Sequence, residues 1–282
     1  MATPLSSLFD DLPNVQIVDV GASWAGDNAP YHDMLLRGDA TLLGFEPATD
    51  QLEILKSRGI PGTTYRSEAI GDGSIGTLHL CHSPGMTSLL EPDQRFLQHF
   101  HGFPEWARVQ DTAPLKTHRL DDIPEAEGMD YLKIDIQGGE LQAFQGAPRL
   151  LDEALVVQTE VQFVPFYKDQ PLFAELDQTL RQHGFVFHRL VEMMSRTFAP
   201  MLINDNIFAG ISQHLWADAI YVRDFTTFQD MEPTQLLKLS KVMHDVYKSI
   251  DMVGLALAKV DEKEGGNRHL QYLEWVTPQL GQ

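Results

Sequence analysis

Cationic side chains are scarce in this chain. Lys and Arg total 21 against 40 Asp and Glu, a formal net charge of −19 at pH 7. A surface that acidic repels phosphate backbones and anionic lipid, which argues against nucleic acid as a partner. Simple solubility is the plain account of the charge. Cysteine is nearly missing as well. Cys81 stands alone, so no disulfide can form within the chain, and a reducing, cytoplasmic setting is expected. No apolar run is long enough to cross a bilayer. The opening stretch "MATPLSSLFDDLP" has no basic start followed by an apolar core, so no signal peptide is expected. Internal repeats and low-complexity linkers are missing too. The histidines show no zinc spacing: His79 and His82 lie three apart on a predicted strand and point to opposite faces.

What is present suits one large α/β domain, or one with an appendage, in 282 residues of which 43% are hydrophobic. "VQIVDV" (15–20) reads as a buried parallel strand feeding the turn "GAS". "TLLGFE" (41–46) is a second strand, and a helix is expected over Asp50 to Ser57. "TTYRSEAI" (63–70) is a weaker third, and "GDGSIGTLHLCHS" (71–83) reads as a turn and an added edge strand. A helix is expected near Leu89 to Phe100. "YLKID" (131–135) runs into two glycines and a helix opening at Glu140, which Gly146 closes and Pro148 restarts. "ALVVQTEV" (154–161), "FVFHRLVEMM" (185–194) and "DAIYVRDF" (218–225) are further strands, the last two paired antiparallel because no regular helix joins them. Helices are expected over 232–260, and a polar, loose end from about Asp261. The alternation predicts a mostly parallel sheet with helices on both faces, an antiparallel last strand and C-terminal helices. The binding domain is placed at 1–225. Residues 226–282 form a helical extension whose apolar stripe must be buried on the core or on a partner copy, which keeps a homo-oligomer in view.

In such a sheet ligands sit at the carboxyl ends of the strands. Those ends carry Asp19, Glu46, Glu68, Asp135 and Glu160, an acid on each of five successive strands. Gly21, Ala22 and Ser23 after the first strand let a ligand approach the backbone. An acid closing the second strand, Glu46 before Pro47, is the usual partner of a ribose diol. "GASWAG" is not G-x-G-x-x-G, so a pyrophosphate cradle is poorly supported, which counts against NAD and ATP. A nucleoside without pyrophosphate remains, and S-adenosylmethionine is one.

The chain resembles the FkbM-type methyltransferases. The resemblance is carried by "VDVGAS", "GFEP", "SEAIGDGSIGTLHL", "GMTSLLEP", "HRLDDI" with "DYLKIDIQGGELQAFQGA", and "TEVQFVPFYKDQPLFAELDQTLRQHGF". It implies the class I methyltransferase (Rossmann-like) fold and S-adenosylmethionine as cofactor. It also implies a cofactor edge of Asp19, Gly21, Ala22, Ser23, Glu46, Pro47, Glu68, Ala69 and Asp135, the last beside the methionine end. The chain departs from the family's common pattern at Ser23 (commonly Asn), Ala25 (commonly Gly) and Gln137 (commonly Glu).

Methyl transfer needs an aligned acceptor and, for a hydroxyl, a base. Asp135 and Glu160 are the candidate bases. Asp135 could instead only contact the cofactor, and Glu160 could pair with Lys133 or Lys168. Mg²⁺ between the two acids is considered and not favoured, two acids being too few to claim a metal. Ser88, Phe163, Tyr167 and His214 are candidate acceptor contacts, each with a plain structural alternative. Ser88 could cap a helix, Phe163 and Tyr167 could pack one, and His214 could be an ordinary loop residue. The expected reaction is O-methylation of a hydroxyl on a sugar or secondary-metabolite acceptor. A nicotinamide-dependent oxidoreductase and a non-catalytic cofactor-binding partner subunit are the competing expectations.

Overall fold

The computed structural model describes residues 3–23 and 29–279. Three parallel strands open the chain: β1 (Val15–Val20), β2 (Ala40–Phe45) and β3 (Thr63–Arg66). A small separate sheet follows, made of β4 (Ala69–Ile70), β5 (Ile75–Cys81) and β6 (Val109–His118). The main sheet resumes with β7 (Tyr131–Ile134), β8 (Val156–Gln162), β9 (Phe185–Ser195) and β10 (His214–Arg223). Its order is β3-β2-β1-β7-β8-β10-β9. β10 runs antiparallel to both β8 and β9, as the missing crossover helix required. The strand order reverses between β1 and β7, which opens a crevice at their carboxyl ends.

Helices cover both faces. α1 (His32–Arg37) and α2 (Thr49–Ser57) follow β1 and β2. The short α3 (Gln94–Leu97) and α4 (Phe103–Trp106) lie between β5 and β6. α5 (Glu140–Gln145), α6 (Pro148–Glu153) and α7 (Phe173–Gln182) alternate with β7, β8 and β9. α8 (Pro233–Asp245), α9 (Ile250–Glu264) and α10 (Arg268–Val276) close the chain. One core joins Val18, Leu132, Ile134 and Val157 to Phe144, Leu150 and Leu176 from α5–α7. The opposite core joins Val15, Ile17 and Ile220 to Leu239, Met243 and Leu257 from α8 and α9. The apolar stripe of the C-terminal helices is therefore buried against the sheet of its own chain. Lys241, buried within α8, bolts that helix to the sheet through the carbonyls of Pro13 (3.1 Å) and Asp39 (3.0 Å) and the Asp39 carboxylate (3.1 Å). A third cluster, with Leu97, Phe100, Phe103, Phe166 and Leu215, forms a cap over the ends of β8 and β10.

Four expectations need correction. The third strand does not run through 63–70. It stops at Arg66, which turns back to ion-pair with Glu68, and Ala69–Ile70 joins the small sheet through β6. The helix expected over Leu89 to Phe100 shrinks to Gln94–Leu97. Ser88 bridges to His79 and to Gln137, and Pro92 delays the start until Asp93 caps the helix through the Arg95 N–H. β6 was not anticipated, because it is mostly exposed and carries Pro114, so it has no apolar run to announce it. The end of the chain is not loose. Tyr272 and Val276, four residues apart, bury one face of α10, and the Asp261 carboxylate caps its start at the Arg268 and His269 N–H groups (2.9 and 3.0 Å).

Candidate active site

The nucleotide turn is built by close approach. Gly21 takes φ +81°, and a Cβ there would stand 1.9 Å from the Asp135 carbonyl oxygen. Only glycine lets the turn after β1 pass over the end of β7. The N–H groups of Gly21 and Ala22 both donate to the Phe45 carbonyl at 3.0 Å. They are consumed in tying β1 to β2, so they cannot cradle a phosphate. Ser23 follows, exposed. Ala25 lies outside the described residues.

Each predicted acid has a distinct setting. Asp19 is buried, and both of its oxygens are engaged: the Tyr31 hydroxyl donates to one, and the Lys133 ammonium stands 3.5 Å from the other. Burial pulls the Lys133 ammonium down, but Asp19, Asp135 and Asp218 outweigh it and hold the group above its usual range. Glu46 is 8% exposed and accepts the Ala48 N–H with one oxygen (2.7 Å). Its second oxygen has no hydrogen-bond partner among the described residues and is not sealed off. Burial raises Glu46 above the usual carboxylate range, with Asp50 and Asp19 adding to it. Pro47 starts the exposed turn into α2. Glu68 sits farther along the edge, held low by hydrogen bonding to Arg66, just before Ala69 enters β4.

The segment from Asp135 to Glu140 is braced from below. The Asp135 N–H donates to Val20 (3.0 Å), and its carboxylate accepts from the Gln137 amide (2.7 Å). Gln137 and Gly138 both take positive φ, +57° and +95°. A Cβ at Gly138 would press Leu90 at 3.1 Å and the Gln170 amide at 3.2 Å. Glu140 is buried, and one of its oxygens accepts the N–H groups of Ile136 (2.9 Å) and Gly138 (3.2 Å). Burial pushes Glu140 up to about 7, against the pull of those backbone donors. It shapes the loop from inside. The Ser88 hydroxyl donates to the Gln137 carbonyl (2.6 Å) and accepts the Leu90 N–H (3.0 Å), so it orders the same loop.

Glu160 is not paired with a lysine. Lys133 goes to Asp19, and Lys168 goes to Glu91 at 2.6 Å. Glu160 instead faces Asp218, its register partner across β8 and β10. Burial pushes Glu160 well above the carboxylate range, and Asp135, Glu140 and Asp218 push the same way. Asp218 is raised too, by burial and by Asp135. The structure therefore brings Asp135 and Glu160 together and adds Asp218. Asp218 was legible in principle. It lies in the first half of β10, a strand that runs antiparallel, and the first half of such a strand lies toward the edge where the parallel strands end. The remaining candidates scatter. Phe163 packs on Phe173, with ring centres 6.1 Å apart. Tyr167 is buried beneath Gly138, and its hydroxyl donates to the Met86 carbonyl (3.2 Å). His214 is the exposed first residue of β10, not a loop residue before it. Among the described residues no three His, Cys, Asp or Glu side chains stand close enough to share a metal ion.

A seven-stranded sheet in this order, with its antiparallel strand next to last in space and its acids along one edge, is the class I methyltransferase fold. The family comparison agrees: the model of the methyltransferase FkbM domain matches residues 19–187, and the chain belongs to that family of methyltransferases. Solved structures similar to it include magnesium protoporphyrin IX methyltransferase from Synechocystis with bound S-adenosylmethionine, at 12% identity and TM-score 0.40, covering 76% of this chain and 73% of that one. Precorrin-6y C5,15-methyltransferase from Geobacter metallireducens is similar at 13% identity and TM-score 0.39, covering 77% and 84%. No curated protein matches the chain significantly. Among the described residues no helix is long and apolar enough to cross a membrane.

Proposed function

We propose that the chain transfers a methyl group from S-adenosylmethionine to a hydroxyl of a sugar or secondary-metabolite acceptor. The observation that carries the cofactor reading is the pairing of Gly21 with Glu46. At Gly21 a side chain would collide with the end of β7, and at the end of the neighbouring strand a buried carboxylate keeps one oxygen free. That oxygen suits a ribose diol. The consumed N–H groups of Gly21 and Ala22 disfavour a pyrophosphate and hence a nicotinamide cofactor. The bound cofactor supplies an electrophilic methyl on a sulfonium. Asp135, at the end of β7, lies against the turn that holds the cofactor. Glu160 and Asp218 lie one and two strands farther out, on the acceptor side.

In the step we infer, the acceptor oxygen attacks the methyl carbon in line, the carbon–sulfur bond breaks, and the hydroxyl proton passes to a carboxylate. Glu160 is the better placed base. Burial and the neighbouring acids raise its proton affinity, whereas Asp135 is tied to the cofactor turn through its N–H to Val20. A small-molecule or glycan acceptor, not nucleic acid, is supported by the net charge of −19. Calorimetric titration with S-adenosylmethionine, S-adenosylhomocysteine and NAD tests the reading. Micromolar binding of both sulfur nucleosides, weakened in Glu46→Ala, supports it. Binding of NAD alone overturns it. Binding of the nucleosides without turnover across a broad acceptor screen favours a non-catalytic partner role.

A further inference from the structure

Three carboxylates on the outer half of the edge share one mode of support. The Gln137 amide donates to Asp135 at 2.7 Å, the Gln158 amide donates to Asp218, and the Gln162 amide donates to Glu160. Each bond uses one carboxylate oxygen. The other oxygens have no hydrogen-bond partner among the described residues and are not sealed off. A carboxamide orients a carboxylate without neutralising it. The amide orientations are dictated by their surroundings. The Gln158 carbonyl accepts from the hydroxyls of Tyr131 (3.0 Å) and Tyr247 (2.8 Å), which turns its NH₂ group toward Asp218. Among the described residues no Lys, Arg or His forms an ion pair with any of the three acids, and Lys133 is joined to Asp19 instead.

A second observation comes from Gln162. It is 1% exposed, and its carbonyl oxygen is buried without a partner. Turning the amide over would set that oxygen against the Glu160 carboxylate, so the orphan is an acceptor by necessity. A buried carbonyl of this kind is costly to leave unmade. The cluster thus offers acceptors and negative charge, and among the described residues no Lys, Arg or His is ion-paired with it. The same-sign groups raise one another's proton affinity, and Lys133, which is joined to Asp19, offsets this only in part at Asp218. Glu192, held at φ +50° in a bulge of β9, adds a further negative charge near Asp218.

We propose that the methyl acceptor carries a protonated amine beside the hydroxyl that is methylated, and that Asp218 and Gln162 receive the amine while Glu160 remains the base. The inference rests on the methyl-transfer reading, because it takes the edge where β8 meets β10 as the acceptor site. An ammonium can pair with the Asp218 carboxylate and the Gln162 carbonyl, and a neutral polyol leaves the Asp218 charge uncompensated. The cofactor's own ammonium is the competing occupant.

The test uses the full chain saturated with S-adenosylhomocysteine and two matched probes. The glucosamine disaccharide (fully deacetylated chitobiose) carries ammonium groups, and N,N′-diacetylchitobiose carries neutral amides on the same rings. Calorimetry at pH 7 and low salt is expected to show the ammonium probe binding at least about tenfold more tightly. That preference is expected to weaken with added salt and to collapse in Asp218→Asn, whose affinity for S-adenosylhomocysteine stays within about twofold of wild type. Thermal unfolding of the variant checks that it folds, and the salt dependence of the wild type is a readout that needs no variant. Equal or tighter binding of the acetylated probe overturns the inference, as does millimolar or weaker binding of both. Loss of S-adenosylhomocysteine affinity in Asp218→Asn overturns it in favour of the cofactor ammonium. Failure of S-adenosylhomocysteine to bind the wild type overturns the methyl-transfer reading itself.

Discussion

On the nucleoside side of the edge, Asp19 lies between Tyr31 and Lys133, Glu46 folds onto its own turn, and Glu68 pairs with Arg66. On the other half, proposed to face the acceptor, Asp135, Glu160 and Asp218 are each gripped by a glutamine, and among the described residues none of them forms an ion pair. The two halves use the same residue type in opposite ways. The first half mostly spends its acids on structure and leaves one oxygen of Glu46 without a partner among the described residues. The second half orients its acids and leaves their charge available. Charge near a reacting centre matters only while it is unspent, so the manner of support says more than the count of acids.

The comparison breaks most readily at the turn that joins the halves. Gly21→Ala places a Cβ against the Asp135 carbonyl and forces an unfavourable φ. A loss of about 3 kcal/mol, or more than a hundredfold in S-adenosylhomocysteine affinity, is expected. Titration calorimetry reads it, and near-wild-type affinity would mean that the turn does not hold the cofactor.

The second test concerns the loop beneath Asp135. Glu140 has its folded value raised to about 7, above an unfolded value of about 4.3. Between those values the folded state holds the extra proton. This group therefore favours folding most at low pH, and its contribution falls as pH rises from about 4 to 7, by roughly 3 kcal/mol. Denaturant unfolding of Glu140→Gln from pH 5 to 7.5 should lack that slope. An unchanged slope would place the carboxylate in water.

Two smaller changes sharpen the contrast within the nucleoside half. Glu46→Ala removes the free oxygen and should weaken the sulfur nucleosides by about 1.5–3 kcal/mol, roughly ten- to a hundredfold. Glu68→Gln breaks a partly exposed pair with Arg66, and less than about 1 kcal/mol is expected in either stability or affinity. Equal effects from the two would put Glu68 in the nucleoside pocket beside Glu46.

Legibility followed the range of the interactions. The runs over β1, β2, β7 and β8 were plain because strands buried on both faces are almost continuously apolar. β6 and α10 were not, the one being polar and exposed and the other hiding a narrow face of Tyr272 and Val276 in a polar tail. Glu160 was found because it ends a parallel strand. Asp218, Gln158 and Gln162 were missed because Asp218 meets Glu160 only through the pairing of β10 with β8, and the Gln158 amide is turned by the Tyr131 and Tyr247 hydroxyls.

By itself the sequence determined the alternating α/β pattern, the acids at the strand ends, the glycine turn and the family. Each of those is a local pattern of side-chain period and backbone permission. Tertiary structure alone decided which acids are spent and which stay free. A carboxylate's charge is set by what stands within a few ångströms of it, and in this protein those neighbours come from strands and helices distant in the chain.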